Sequence, residues 1–289
     1  MTDYSEGPAN GHRDAGPVAF VLGGGGMRGA VEVGMIRALL EAGITPDLVV
    51  GASVGAINGA VLAADPTPAS VERLTRTWTS EDATSVYGDP AGRQLLRLVT
   101  TRTHLHSPER LRRLLVAALG PSTHFEDLAV PLRVVAANIE RAAEHWFSTG
   151  PLVEAVMAST SVPGLLPPTP IDGEHFLDGG IVNSIPIEGA LHAGARTVYV
   201  LQVGRVEEPV PVPTNAVETA RAAFEIARRH RYARDLATLP EGVRLHVLPT
   251  GSSLAKKKGP PSYRRMGPVQ KRIDRAYRAS CDYLSNVRS

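Results

Sequence analysis

Cysteine is nearly missing from this chain, aromatic residues are few and no long apolar run occurs; each shortage closes off a class of protein. A single cysteine, Cys281, cannot form an intramolecular disulfide, so no disulfide framework is expected and a reducing compartment suits the chain. Aromatics make up 5% of the residues, with two tryptophans. The basic segments carry no interleaved aromatic pattern of the kind that stacks bases, so nucleic acid is not an expected partner. No stretch of 18 apolar residues is present, which argues against a spanning helix, and Met1 to Gly16 is polar and lacks the apolar core of a secretory signal. The expectation is a cytoplasmic protein whose first 16 residues form a disordered tail. His104, His106, His124 and His145 show no metal-ligand spacing, and no metal is expected.

What is present suits an enzyme core. The chain has 289 residues, 43% hydrophobic and 21% charged, enough to bury a substantial interior in one α/β domain. Strand patterns fall at 17–22, 47–51, 131–137, 197–203 and 243–248. Helical patterns fall near 30–42, 54–64, 69–78, 107–119, 151–160, 185–193, 215–237 and 269–286. That alternation predicts a three-layer α/β/α plan with a mainly parallel central sheet. The region 65–128 has helical patterns and few strand signals, as a cap beside a site would; Leu95, Leu96 and Val99, and Leu111, Leu114, Leu115 and Ala118, have amphipathic spacing that suits an acyl groove as well as a core.

The formal net charge of +2 conceals an asymmetry. Residues 1–220 hold 15 Lys and Arg against 24 Asp and Glu, whereas residues 221–289 hold 16 against 5. Arg228-Arg229-His230-Arg231, Lys256-Lys257-Lys258 and Arg264-Arg265 concentrate the basic charge, the last two groups in an expected mobile loop near 251–268. Attraction to anionic lipid head groups is one reading, at about 1 kcal/mol per surface-near basic residue; a solvated basic surface is the other.

Three motifs carry the chemistry. Pro17 to Leu22 reads as a buried strand running into Gly23-Gly24-Gly25-Gly26-Met27-Arg28-Gly29, where chain without Cβ atoms can converge its N–H groups on one anion. Such a nest serves an oxyanion or a dinucleotide equally, since Gly24, Gly26 and Gly29 also satisfy G-x-G-x-x-G. A dinucleotide fold wants an acid at the end of its second strand. Asp47 instead precedes the apolar run, which ends at Gly51-Ala52-Ser53-Val54-Gly55. A strand followed by G-x-S-x-G and a helix is the setting of a nucleophile elbow, in which small neighbours let a serine stand at a helix N-terminus. The third motif is Asp178-Gly179-Gly180, after His175-Phe176-Leu177. A Ser, acid, His order would admit His192, His230 or His246 into an α/β-hydrolase triad, although too little chain precedes the elbow for that fold.

In this order, Gly24 to Gly29, Gly51 to Gly55 and Asp178 to Gly180 resemble the three signatures of patatin-like phospholipases. Ala158 to Pro168 is similar to the family's segment before its aspartate, with Leu166 where an aromatic residue is usual. The resemblance covers roughly residues 17 to 202. It implies a patatin-like fold and a catalytic domain over 17–203, completed by the basic section 204–289. It further implies a Ser53-Asp178 dyad that needs no histidine and no cofactor, hydrolysing carboxylic esters of phospholipids or lysophospholipids through an acyl-serine. The oxyanion hole is expected from Gly24, Gly25, Gly26, Met27 and Arg28, with Val54 a further donor; Gly29, Gly51, Gly55, Gly179 and Gly180 are motif positions. Arg28 has two readings, electrostatic support of that loop or a surface ion pair. A non-enzymatic nucleotide- or lipid-binding module is the remaining alternative.

Overall fold

A computed structural model describes residues 16–80, 100, 104–203, 209–251 and 269–288. The sequence-predicted tail, apart from Gly16, lies outside them, as do Leu95, Leu96, Val99, the lysine triplet and Arg264-Arg265.

Eight strands are described: β1 (Val18–Leu22), β2 (Leu48–Ala52), β3 (Leu132–Asn138), β4 (Ala143–Phe147), β5 (Thr169–Ile171), β6 (Glu174–Asp178), β7 (Thr197–Leu201) and β8 (Arg244–Val247). Nine α-helices are described: α1 (Ala30–Glu41), α2 (Val54–Ala64), α3 (Pro68–Thr79), α4 (Glu109–Leu119), α5 (Leu152–Ser159), α6 (Gly180–Asn183), α7 (Ile187–His192), α8 (Ala216–Ala237) and α9 (Val269–Arg288). β3, β2, β1, β7 and β8 lie side by side and run parallel. Their runs of Val, Leu and Ala suit strands buried on both faces. Alternation distributes those side chains between two cores: Phe20, Leu22 and Val49 face one, and Ala19, Val21 and Val50 face the other. The first core takes in α1, α2, α3, α4, α5 and α9; the second takes in α7 and part of α8. This is the three-layer α/β/α arrangement.

β4, β5 and β6 add an antiparallel margin that the sequence patterns do not reveal. β4 reads Ala-Glu-His-Trp-Phe, with no residue buried, so it lacks the apolar alternation that marks a strand. Val134 and Val135 pair with β2 on one edge and β4 on the other, while Ala136 to Asn138 pair with β4 and β6. β6 therefore continues the edge that β2 leaves, arriving from the opposite direction. Ala52, the last residue of β2, lies opposite Val135, and Asp178, the last residue of β6, lies opposite Ala136. Two strands thus meet end to end against one strand, and the residues at the junction are Ser53 and Asp178.

Candidate active site

The elbow follows from backbone constraints. Ser53 has φ 53° and ψ −124°, a left-handed conformation that L-residues rarely adopt. A Cβ on Gly51 would come within 2.7 Å of Gly55 O and Ala56 Cα, and one on Gly55 within 2.2 Å of Leu22 O, so both flanks of the serine must be glycine. The turn delivers Ser53 to the N-terminus of α2, where N–H groups lack intrahelical partners. Ser53 N–H itself donates to Ser159 Oγ at 2.9 Å, and Ser159 Oγ donates to the Val135 carbonyl at 2.7 Å. Ser159 is fully buried at the end of α5. It lies in the Ala158 to Pro168 segment, where the sequence assigns it no role of its own.

Ser53 Oγ donates to Asp178 Oδ2 at 2.6 Å, and Gly180 N–H donates to Asp178 Oδ1 at 2.7 Å. The same end of α5 steadies the aspartate, because Ser161 O accepts from Asp178 N–H and Ser159 O accepts from Gly179 N–H. Gly179 is required by close approach, since a Cβ there would lie 2.0 Å from Val135 O. Burial raises the Asp178 pKa from 3.8 to about 6, against the opposing hydrogen bonds from Ser53 and Gly180. The carboxylate is thereby a stronger base than a free aspartate while still ionised at neutral pH.

The glycine loop stands beside this pair. Gly23 N–H is committed to Leu201 O and Gly24 N–H to Ser184 O. Gly24, expected as part of the oxyanion hole, is thus corrected to a shaping position: its donor is spent, and a Cβ there would press within 3.4 Å of Ser53 Cβ. Gly26 to Gly29 form a 3-10 turn, with Arg28 N–H donating to Gly25 O at 3.3 Å. Gly25 and Gly26 remain as the candidate donors, and a Cβ on Gly25 would collide with Val203 Cγ2. Arg28 itself is exposed.

A cavity of about 60 Å³ opens from Gly26, Met27 and Ser53 and runs between α2, α3 and α4. Ile57, Val61, Leu74, Leu111 and Leu114 form its apolar walls. Leu166, where the resemblance leads one to expect an aromatic residue, is buried in the same core as Leu74 and Leu111. Asn58 Nδ2 ties this wall to the glycine turn, donating to Gly29 O at 3.0 Å and to Glu32 Oε2 at 2.6 Å, while Trp78 Nε1 donates to Asn58 Oδ1. Burial lifts the Glu32 carboxyl well above its ordinary range, against the hydrogen bond from Asn58.

The competing motifs are not assembled. Asp47 is bonded to Val18 N–H at the far end of the sheet from the glycine loop. His246 lies on β8, three strands from β2, stacked on Tyr199, and His192 faces Glu188 on the surface. Among the described residues, Asp178 accepts from Ser53 and Gly180 alone, and no group of three or more His, Cys, Asp or Glu could hold a metal ion. Of the expected basic cluster, Arg228 and Arg229 pair with Glu225, and Arg231 pairs with Glu144, Glu188 and Asp235. Those charges are largely neutralised within the fold.

A three-layer α/β/α sheet, a glycine nest after its first strand and a serine–carboxylate pair without histidine together define a class of proteins with patatin-type architecture. Residues 20–191 match the family model described as patatin-like phospholipase. The chain is 33% identical over 193 residues to patatin-like phospholipase domain-containing protein 7 of Rattus norvegicus and 34% identical over 193 residues to protein 6 of the same series from Homo sapiens. Each alignment covers 66% of this chain and 14% of the relative, so the chain spans about one seventh of the length of these relatives. Among solved structures, VipD from Legionella pneumophila superposes with a TM-score of 0.53 at 16% identity, over 94% of this chain and 67% of that one, a likeness of fold. The chain belongs to the patatin-like phospholipase family.

Proposed function

We propose that this chain is a lipid acyl hydrolase that cleaves carboxylic ester bonds of phospholipids or lysophospholipids through a Ser53-Asp178 dyad. The observation that carries this reading is the 2.6 Å hydrogen bond from Ser53 Oγ to a buried Asp178 carboxylate, beside an apolar cavity, in a chain that matches the patatin-like phospholipase family model. Asp178 takes the Ser53 proton as Oγ attacks the ester carbonyl carbon. Charge moves to the carbonyl oxygen, which the N–H groups of Gly25 and Gly26 hold, with Met27 and Val54 as neighbouring donors. Asp178 returns the proton to the departing alcohol, leaving an acyl-Ser53. Water, deprotonated by the same carboxylate, attacks the acyl carbon, and Asp178 returns that proton to Ser53 Oγ as the fatty acid leaves. The walls of Ile57, Val61 and Leu111 suit an acyl chain and contribute about 0.8 kcal/mol per buried methylene. Arg28 supports the loop from its exposed side. The surplus of basic residues beyond 221 adds salt-dependent attraction to anionic vesicles, measured by sedimentation with and without alanine at Lys256, Lys257 and Lys258.

The test is labelling with a long-chain fluorophosphonate and mapping of the adduct. One adduct on Ser53, absent in Ser53→Ala and much slower in Asp178→Asn, is expected. An adduct on another residue, or esterase turnover by Ser53→Ala, would overturn the assignment.

A further inference from the structure

The glycine turn is held from behind by a residue distant in sequence. Arg272, on the first turns of α9, donates from Nη1 to the Met27 carbonyl at 3.0 Å. Its position is determined by how α9 packs on α1. A Cβ on Gly34 would lie 2.2 Å from Ile273 O, so the two backbones approach as closely as glycine allows. Ile273 and Ala276 are buried against α1, and Tyr277 Oη donates to Glu41 Oε2 at 2.6 Å. Arg272, the neighbour of Ile273, is carried to the outer side of the turn formed by Gly26 to Gly29.

The hydrogen bonds then run on through two peptide units. The Met27 carbonyl that accepts from Arg272 shares its peptide with Arg28 N–H. That N–H donates to Gly25 O at 3.3 Å, and the Gly25 carbonyl shares its peptide with Gly26 N–H. In a trans peptide the N–H points opposite to the carbonyl, so Gly26 N–H faces away from the turn. Gly26 and Ser53 line the same cavity. Chains of this kind polarise each link in turn, and a cation at one end strengthens the donor at the other. The guanidinium stays charged although burial draws its pKa down.

We propose that Arg272 is a positioning residue for the oxyanion hole: its charge, relayed through the Met27-Arg28 and Gly25-Gly26 peptides, strengthens the Gly26 N–H that receives the developing oxyanion. The inference rests on the serine hydrolase reading above. It assigns to α9, which lies outside the segment matched by the family model, a part in the chemistry. It also separates two arginines: Arg28 lies within the motif and is exposed, whereas Arg272 is the one bonded to the back of the loop.

The experiment compares the full chain with Arg272→Met, Arg272→Lys and Arg272→Gln on a soluble acyl ester, together with inhibition by a trifluoromethyl ketone, which forms an anionic hemiketal, and by the corresponding neutral alcohol. Methionine retains bulk without charge, lysine retains charge, and glutamine retains a neutral donor. Removing one direct oxyanion donor costs about 100-fold or more in kcat, so a relayed contribution is expected near 10-fold. The expected result for Arg272→Met is kcat about 10-fold lower with KM within about twofold, ketone affinity weakened in proportion and alcohol affinity unchanged. Lysine should restore most of the loss and glutamine little of it. Should the methionine variant fail to fold, the lysine and glutamine pair carries the same comparison. Equal kcat in those two variants, or a loss that weakens ketone and alcohol alike, would overturn the proposal. Ser53→Ala, run in parallel, separates the two readings: turnover that survives it overturns the serine mechanism, while its loss together with unaltered Arg272 variants overturns the relay alone.

Discussion

Asp178→Asn should remove activity and at the same time stabilise the protein, by an amount that depends on pH. Asp178 is buried and its folded pKa lies near 6, against an ordinary 3.8. A carboxyl whose folded pKa is raised binds its proton more tightly in the native state, so its stabilising contribution is full at low pH and is lost as pH rises through about 6. The shift of about two units corresponds to about 3 kcal/mol, since each unit is worth about 1.4 kcal/mol. About 2 kcal/mol of that falls between pH 4.5 and pH 8, where the wild-type carboxyl passes from mostly neutral to ionised. Asparagine is neutral throughout: its Oδ1 can still accept from Gly180 N–H, and its Nδ2 can face Ser53 Oγ. The stability of Asp178→Asn minus that of the wild type should therefore grow by about 2 kcal/mol between those pH values, read from urea midpoints at constant m. A difference that is the same at both ends would refute a buried, destabilised carboxylate as the base. The same titration should appear in wild-type kcat/KM as a fall below about pH 6, roughly tenfold per unit.

Further outcomes follow from other contacts. Ser159→Ala should cost about 1–3 kcal/mol, because it strands the buried Ser53 N–H and the Val135 carbonyl together, and urea denaturation measures it. Ser159→Thr, which keeps a hydroxyl, should recover part of that loss. Gly179→Ala should abolish activity and lower stability by about 3 kcal/mol or more, since its methyl would press on Val135 O and β3 would have to shift; retention of wild-type kcat would contradict the close approach. Leu114→Trp should fill the cavity between α2 and α4, lowering kcat/KM for long-chain p-nitrophenyl esters at least tenfold while leaving the acetate ester within about twofold.

Much of this site is legible in the chain because it rests on backbone geometry. Gly51, Gly55 and Gly179 each occupy a place where a Cβ would strike a backbone atom, and such demands leave glycine at fixed spacing from Ser53 and Asp178. The parallel strands were legible for a related reason: burial on both faces makes them short apolar runs between helices. The antiparallel margin was not, because β4 and β6 mix Glu, His and aromatic residues on a partly solvated surface, leaving no alternation to read. Ser159 could not be singled out, since its role comes from where α5 ends relative to β2 and β3. Gly24 sits in the motif yet has spent its donor on Ser184, a partner 160 residues away that only the folded chain supplies. Arg272 is further still from the loop it supports, and one arginine among many in a basic segment has no local mark.

The meeting of β2 and β6 against a single edge of β3 makes that strand a common ruler for the two reacting side chains. Positions along a ruler of this kind come in whole residues, and a slip of one turns every side chain to the opposite face of the sheet. If β6 slid by one residue, Asp178 would leave Ser53 altogether instead of drawing slightly away. Damage to this margin should therefore divide molecules into competent and silent populations. Titrating Ser53 with a fluorophosphonate would then find fewer active molecules, each turning over at the undamaged rate.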